Sequence, residues 1–496
     1  MRTVFNTQMN LGEIDIANIR IDFLSRDDIP KILLGLQHIY TNQETRDRVF
    51  AILREVMPIR AGGIGTVSSV LGRPGMPQWR ALVLFSLRMG LNADYDRIQE
   101  LANQHSALRQ MLGHSSWEDA TRYSLQAIKD NVALFTPEVL DRLNQAVVGS
   151  GHQLLGVGAG SELEVRVDSF VGETNVHFPT DMNLLLDAIR VTVRTCGEAS
   201  ARYGWTDWNK HAYNFRQFRH AYLRLQRMKY SSSKDPVKQH AKADEIRRAY
   251  KDHLDLAQDY LKRAQVTCDQ IKSMNYLDFS WTTLQKFIAH GERQIDQIRR
   301  RVIEDETIPH DEKVFSLFQL HTEWVSKGKA GVPVELGVRI AIVEDQHRFI
   351  LHHMVMEKTT DDKVAIPLID ETKKRFGSIK SASFDKGFHS PSNQAELKER
   401  VSLVVMPKKG KLSKADVARE SAPEFKRLRR QHSAVESAIN GLETDGLDRC
   451  PDDGIFGFKR YVAMAVITRN IQRIGAILQQ RQHAARQKRR VPSKAA

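Results

Sequence analysis

The sequence predicts an α/β protein in which a mixed β-sheet follows a helical domain and carries a large helical insertion. Three observations predict this class. Residues 1–150 place apolar side chains at helical spacing and show no strand pattern. Strand and helix patterns then alternate between residues 160 and 460, as they do in an α/β core. Within that span, residues 200–310 are charged and continuously helical in pattern, which is typical of an antiparallel helical hairpin or a short coiled coil.

The N-terminal helical domain is predicted from DIPKILLGLQHIY and QWRALVLFSLRMGLNADYDRIQELANQHSALRQMLG, where apolar residues recur every three or four positions. We expect this domain to end near residue 150, because TPEVLDRLNQAVVGSG leads into a glycine-rich break at 149–160. A chain of 496 residues is too long for one compact core, so a division into domains is expected.

The first core strand is predicted from SELEVRVDSF, where Leu163, Val165 and Val167 alternate with charged residues and Asp168 is expected to end the strand. A helix is predicted to begin after Thr180, ahead of the insertion. Strands follow at VELGVRIAIVE, HRFILHHMVME, SIKSASFD and VSLVVMP, the first two as a hairpin; helices are predicted at VAIPLIDETKKRFG, PSNQAELKER and EFKRLRRQHSAVESAINGLE. With the insertion removed, this element order is that of an RNase H-like mixed sheet.

Three acidic residues stand out by their positions on this predicted core. Asp168 and Asp385 each follow an apolar strand, and sites in open α/β sheets form at the carboxyl ends of strands. Glu436 lies on the last core helix, at the margin of an apolar stripe that can pack on the sheet. The stripe consists of Phe425, Leu428, Val435, Ile439 and Leu442. We therefore expect the three carboxylates to meet, although a strand that ends in aspartate at an ordinary turn is common.

Three carboxylates at one point repel each other unless a cation lies between them. Hard oxygen ligands suit Mg²⁺, with Mn²⁺ as a substitute. Two such ions about 4 Å apart activate a water or a 3′-hydroxyl and stabilise the leaving oxygen during in-line attack on a phosphodiester. Asp168, Asp385 and Glu436 are therefore the predicted metal ligands and the predicted catalytic residues.

The segment SFDKGFHSP adds candidate phosphate contacts beside the second aspartate. Gly387 is expected to let the chain turn sharply past the strand, which would leave Asp385 at the edge of the sheet. Lys386 and His389 could then meet phosphate oxygens of DNA. An ordinary Asp-Lys-Gly turn explains the same residues.

The net charge and the lack of targeting signals limit the possible partners and the location of the protein. The net charge is +14, and from Gly454 to the C-terminus ten Lys or Arg residues occur without an Asp or Glu. This favours a nucleic-acid partner, with a basic but inert surface as the alternative, and it defines a basic C-terminal helix and tail at 461–496. Three cysteines without CxxC spacing predict neither a zinc site nor disulfides, and the absence of a signal peptide or a spanning apolar run predicts a cytoplasmic protein without membrane contact.

Several segments together resemble the DDE transposases of bacterial insertion sequences, most closely the ISNCY group. The resemblance runs through RVDSFVGETNVHFPTDMNLLLDAIR, SFDKGFHSP and RRQHSAVESAINGLETDGLDRCPDDG, and it includes the N-terminal QWRALVLFSLRMGLNADYDRIQELANQHSALRQMLG. Carried over, it assigns the two aspartates and the glutamate of the family motif to Asp168, Asp385 and Glu436.

The sequence departs from that family on the glutamate helix. Many relatives have an arginine four residues before the glutamate and a lysine seven residues after it, whereas this chain has His432 and Glu443. Contacts to DNA phosphates would then come from Arg429, Arg430 or His432. Glu443 remains an alternative to Glu436 as the third metal ligand.

The resemblance implies a transposase with an RNase H-like core that binds the terminal repeats of its element on double-stranded DNA. It would hydrolyse phosphodiester bonds and join the 3′-hydroxyl to target DNA. Because two element ends must be brought together, a homodimer or a larger assembly on DNA is expected. The protein is expected to act in the bacterial cytoplasm, at the nucleoid when it is bound to DNA. Two alternatives remain: an RNase H-like nuclease that cuts without joining, and a catalytically silent, transposase-derived DNA-binding regulator. The N-terminal domain and the insertion are expected to contact DNA or a second protomer.

Overall fold

The computed structural model describes residues 3–6, 12–57, 75–115, 120–158, 160–229, 232, 235–275, 277–326 and 333–490. The chain forms two compact units, Met1–Asn175 with Val325–Ala496 as the first and Val176–Trp324 as the second. The first unit contains the N-terminal helices, most of a mixed open sheet and the C-terminal helix. The second unit is built of helices and contains the predicted insertion.

The N-terminal helices of the first unit pack around a large apolar core. They are α1 (Asp28–Thr41), α2 (Gln43–Leu53), α3 (Gln78–Gly90), α4 (Tyr95–Gln104), α5 (Ser106–Met111), α6 (Leu125–Val132) and α7 (Pro137–Leu155). Helix α3 is almost entirely buried, and the indole of Trp79 donates a hydrogen bond to the carbonyl of Met111 at 3.2 Å. The predicted glycine-rich break at 149–160 is corrected in its first half, because α7 continues through Gly149 and Gly151 and ends at Gly156, which has a φ of +75°.

The sheet is mixed. Its strands are β1 (Leu163–Thr174), β2 (Glu323–Ser326), β3 (Val334–Asp345), β4 (Ile350–Met356), β5 (Ile379–Phe384), β6 (Leu403–Val405) and β7 (Arg449–Cys450). The main path runs β2-β3-β1-β5-β6, while β4 pairs with β3 and β7 pairs with β1. Strand β1 is antiparallel to β3 and parallel to β5, and β3 and β4 form the predicted antiparallel hairpin.

The helices that follow β4 cover the sheet and complete the first unit. They are α12 (Asp361–Phe376), α13 (Pro391–Arg400), α14 (Lys414–Ser421), α15 (Pro423–His432), α16 (Ala434–Leu442) and α17 (Gly454–Arg490). The long helix predicted through EFKRLRRQHSAVESAINGLE is wrong as one element, since it divides at Ser433, whose hydroxyl donates to the carbonyl of Arg430 at 2.9 Å.

Helix α17 covers most of the predicted basic C-terminal helix, but the larger part of it belongs to the core. Its residues from Phe458 to Ile477 include many fully buried apolar side chains, and it packs against α1, α3 and α7. Gly35 and Gly475 lie where α1 and α17 cross, and a Cβ at either position would overlap a backbone carbonyl of the other helix. The exposed basic part is limited to the last turns that are described, and residues 491–496 lie outside the described ranges.

The second unit consists of four helices around its own core. They are α8 (Asp181–Tyr203), α9 (His211–Arg227), α10 (Pro236–Met274) and α11 (Ser280–Val302). Thr180 caps α8 as predicted, since its hydroxyl accepts the N–H of Asn183 at 3.1 Å. The short loop between α10 and α11 makes these two a helical hairpin, and α8 and α9 pack against it.

Candidate active site

The two predicted aspartates lie side by side on neighbouring parallel strands. Pairing between β1 and β5 runs up to Val167 opposite Phe384, where β5 ends, so Asp168 and Asp385 occupy the next register position. Neighbouring strands lie about 4.8 Å apart. The two carboxylates therefore begin at one edge, where β1 loses its parallel neighbour.

Asp168 does not end its strand, contrary to the sequence-based expectation. Strand β1 continues to Thr174, and Asp168 pairs with Ile342 in the middle of the β1–β3 ladder. The alternating pattern stops at Ser169, but the strand continues because β3 supplies hydrogen-bond partners as far as Gly337. The structure thus places Asp168 at the end of one ladder and inside another.

The chain turns after Asp385 as expected, but the turn does not require a glycine conformation, and Gly387 contributes space instead. Residues Lys386–Phe388 form a 3₁₀ turn, and Gly387 is not among the residues with positive φ. A Cβ at this position would lie 2.7 Å from a carboxylate oxygen of Asp361. The glycine therefore allows the segment after Asp385 to pack directly against a fourth acidic residue.

Asp361 is the acidic residue that sequence reasoning missed. It is the first residue of α12, and its Oδ1 accepts a hydrogen bond from the Ser169 hydroxyl at 2.7 Å. It thus links the residue after Asp168 to the turn after Asp385. The segment KTTDDK carries a signal for it, an acid in the first turn after a threonine cap, but such acids occur at many helix starts.

Glu436 reaches the same edge from α16. Val435, Ala438 and Leu442 are buried on one face of this helix, and Glu436 is exposed in its first turn. Burial and the charges of Asp385, Asp361 and Glu436 together raise the pKa of Asp168 to about 7, although the Ser169 N–H that donates to Asp168 Oδ1 at 2.7 Å acts to lower it. The three predicted acids are therefore close enough to act on one another.

Glu443 lies in a different local structure from Glu436. It is half-buried in the π-helical turn Glu443–Leu447, which follows α16 and contains Gly446 at a φ of +99°. The charges that raise the pKa of Asp168 include Glu436. Glu436 is thus the glutamate that is shown to act on Asp168, and Glu443 lies beyond the end of the same helix.

His432 lies beside the acidic set and is largely shielded from solvent. Its Nδ1 is 3.0 Å from the Ser383 hydroxyl on β5, and its Nε2 has no hydrogen-bond partner among the residues that the structure describes. Burial lowers the pKa of His432, while the charges of Asp385 and Glu436 act to raise it. The imidazole of His432 thus lies within the electrostatic reach of two members of the acidic set.

The other predicted phosphate contacts surround this edge. Lys386 and Arg430 are exposed, and His389 is half-buried in the turn that follows Asp385. Arg429 is exposed and forms a loose ion pair with Glu420 at 3.7 Å. Sequence reasoning missed Arg166, which lies two residues before Asp168 and pairs with Glu344 at 3.0 Å.

The donor chemistry of the acidic set fits a hard divalent cation. Within the described part of the chain, none of Asp168, Asp385 and Glu436 forms an ion pair with a basic side chain. Burial is the largest cause of the raised pKa of Asp168, and the charges of the neighbouring carboxylates add to it. The same described residues contain no group of three or more His, Cys, Asp or Glu side chains already arranged to hold a metal ion.

Comparisons with known proteins give no match to a family model, a curated protein or a solved structure. Within the described residues, no helix has the length and apolar character needed to cross a membrane.

Proposed function

We propose that the chain is a DNA transposase of the DDE type with an RNase H-like core. The observation that carries the proposal is the register of β1 and β5, which sets Asp168 beside Asp385 where β5 ends, with Glu436 close by on α16. The sheet order β4-β3-β1-β5-β6, with β1 antiparallel to β3 and parallel to β5, supports an RNase H-like core.

In this proposal Asp168, Asp385 and Glu436 hold Mg²⁺ or Mn²⁺. The bound ions would supply Lewis-acid activation of a water or a 3′-hydroxyl and charge stabilisation at the phosphodiester. The protein contributes position and charge, as is usual in phosphoryl transfer. The Ser169 hydroxyl, next to Asp168, is held by its hydrogen bond to Asp361, and Lys386 and Arg430 are exposed to solvent where a DNA backbone could approach.

The proposed substrates are the terminal repeats of the element and a double-stranded target. The net charge of +14 favours association with such a polyanion. Because two ends must be joined to one target, the active form would be a homodimer or a larger assembly on DNA in the bacterial cytoplasm.

The proposal is tested with the full chain and a labelled duplex that carries the flanks of its gene. With Mg²⁺, wild-type protein is expected to cut at defined flank positions and to join the new 3′ ends to a second DNA. Glu399→Gln, which changes an exposed acid on α13, is the matched control and should behave like wild type.

The products separate the proposal from its rivals. Cutting without any joined product, with Mg²⁺ or Mn²⁺, would indicate an RNase H-like nuclease. Binding to the flanks without cutting would indicate a DNA-binding regulator. Either result overturns the transposase assignment.

A further inference from the structure

A cavity of about 180 Å³ lies on the other side of α16 from the acidic set. Ala434, Ser437 and Ala438 line it, and these positions recur on one face of the helix, whereas Glu436 lies about 150° away around the axis at ~100° per residue. The remaining walls come from α1, α17 and the turn between β3 and β4. The cavity is thus separate from the proposed metal site.

Four cationic side chains line this cavity: Lys31, Arg348, Arg469 and Arg473. Lys31 is paired with Asp28 at 2.6 Å, and Arg469 is 3.5 Å from Asp445. Arg348 and Arg473 form no ion pair with a carboxylate among the described residues. The cavity therefore has an excess of positive charge.

Arg473 is held in place by a backbone carbonyl and forms no direct ion pair with a carboxylate among the described residues. Its Nε donates to the carbonyl of His347 at 3.0 Å, which leaves the terminal nitrogens free of that contact. Burial lowers the pKa of Arg473, and so do the charges of Arg348 and Arg469, while the charges of Asp345 and Glu344 act to raise it. A half-buried guanidinium beside other cations is costly unless an anion joins them.

Arg348 occupies a backbone conformation that disfavours an arginine. Its φ is +68°, in the left-handed region where glycine is preferred and other residues cost about 1 kcal/mol or more. Asp345 fixes the turn by accepting the backbone N–H groups of His347 and Phe349, each at 2.8 Å. A charged side chain is thus maintained at a strained position on the cavity wall.

The absence of a side chain at Gly441 allows the Arg469 guanidinium to pack against α16. A Cβ on Gly441 would overlap the guanidinium of Arg469. Ala434, Ser437 and Ala438 are likewise small, so the face of α16 toward the cavity leaves room for the arginine side chains and for a ligand.

The acidic group inside the cavity opposes an anion only weakly. Glu344 lines the wall, and its carboxylate pairs with Arg166 at 3.0 Å. Burial raises the pKa of Glu344, while the Arg166 guanidinium lowers it and offsets the charge of the carboxylate.

We propose that this cavity binds a phosphate group through Arg348, Arg469 and Arg473. Guanidinium groups in a cluster match the planar, multiple hydrogen bonds of phosphate oxygens. The phosphate could belong to a nucleic-acid backbone or to a free phosphate compound. The site does not depend on the proposed metal-dependent chemistry, because it lies on the opposite face of α16.

The test measures binding of inorganic phosphate to the full chain by calorimetry at constant ionic strength. Wild type should bind phosphate at one site, and Arg473→Gln and Arg348→Gly should each weaken the affinity about tenfold or more. Arg348→Gly is informative because it relieves backbone strain, so its folded state should be at least as stable as wild type. Arg97→Gln, an exposed arginine on α4, is the matched control.

Gly441→Ala adds a variant that changes no charge. It displaces the Arg469 guanidinium and should also weaken phosphate binding. If wild type shows no phosphate binding, or if all variants bind equally, the phosphate site is wrong.

A second arm identifies the source of the phosphate by anisotropy of a labelled DNA duplex. If DNA affinity falls in the same variants and the salt slope decreases by about one, the phosphate is a backbone phosphate. If only inorganic phosphate binding is lost, the site takes a free phosphate compound. A failure of flank cleavage would overturn the proposed function and leave this site standing.

Discussion

At the scale of single residues, the segment after β5 shows how spacing and packing combine at the candidate site. Asp385 follows the last residue of β5 and therefore lies level with Asp168 on β1. Gly387 then brings the chain against Asp361, which accepts a hydrogen bond from Ser169. A chain of short contacts thus connects both aspartates through one acid at the start of α12.

Gly387→Ala tests this packing. The added Cβ would displace the Asp361 carboxylate, and we expect flank cleavage to fall at least about tenfold while stability falls by about 1–3 kcal/mol, the range for overpacking. Single-turnover cleavage and urea unfolding measure the two effects. Gly158→Ala, where a Cβ meets nothing within 4 Å, is the control. Unchanged cleavage in Gly387→Ala would show that the Asp361 contact has no role.

His253 gives a pH dependence at a residue remote from any proposed chemistry. It stacks on Phe218 with ring centroids 4.3 Å apart, and neither ring nitrogen has a hydrogen-bond partner among the described residues. Burial lowers its pKa from 6.5 to about 4. Between those two values the unfolded chain binds a proton that the folded chain does not, so the free energy of unfolding decreases as the pH falls from 6.5 toward 4.

His253→Phe should remove this loss. From the two pKa values, wild type loses about 2 kcal/mol between pH 8 and pH 5 through this histidine, and the variant should keep that amount. Urea unfolding followed by tryptophan fluorescence at both pH values measures it. The exposed His220 provides the control His220→Gln, which should track wild type. Equal losses in wild type and His253→Phe would contradict the assignment.

At the scale of elements, the crossing of α1 and α17 holds the N-terminal and C-terminal helices together. Gly35 and Gly475 allow the two backbones to touch, and the buried apolar part of α17 fills the space between α1, α3 and α7. The positively charged end of the chain thus begins as a core helix, and the cavity of the proposed phosphate site lies along it.

Gly475→Ala is expected to destabilise the first unit by about 3 kcal/mol or more. The new Cβ would overlap the backbone carbonyl of Lys31. A backbone atom cannot move aside as the end of a flexible side chain can, so the two helices must separate. Urea unfolding compared with Gly158→Ala measures the difference. A change below about 0.5 kcal/mol would show that the crossing is not tight.

At the scale of the whole molecule, local sequence patterns predicted which segments form strands better than they predicted how the elements pack together. Strands β1, β3, β4, β5 and β6 were recognisable because apolar alternation or short apolar runs mark them. The two-residue β7 and the continuation of β1 past Asp168 depend on partners distant in sequence, which a local pattern does not contain. The same holds for the α1–α17 crossing, which joins the two ends of the chain.

The candidate site, like the sheet, was predicted in part from local sequence patterns. Asp385 was selected by a strand end and Glu436 by a helical stripe, whereas Asp168 was selected by an expected strand end that is wrong, since β1 continues to Thr174. The charges of Asp385 and Glu436 nevertheless act on Asp168. Asp361 was missed because an acid in a first helical turn resembles an ordinary stabiliser of the helix dipole. The role of Gly387 was misread because sequence alone does not show what a Cβ would meet.

The most direct test of the central claim is single-turnover cleavage of the flank duplex, with Mg²⁺ and with Mn²⁺. The test variants are Asp168→Asn, Asp385→Asn and Glu436→Gln. They are compared with wild type, with Glu443→Gln and with the control Glu399→Gln. Circular dichroism would confirm that each variant folds. The account predicts metal-dependent cleavage by wild type and Glu399→Gln and a loss of at least ~100-fold in the three acid variants, more than changes around a metal site usually cost. Cleavage by all three at the wild-type rate would contradict the acidic site. Loss in Glu443→Gln with full activity in Glu436→Gln would contradict the choice of the third ligand.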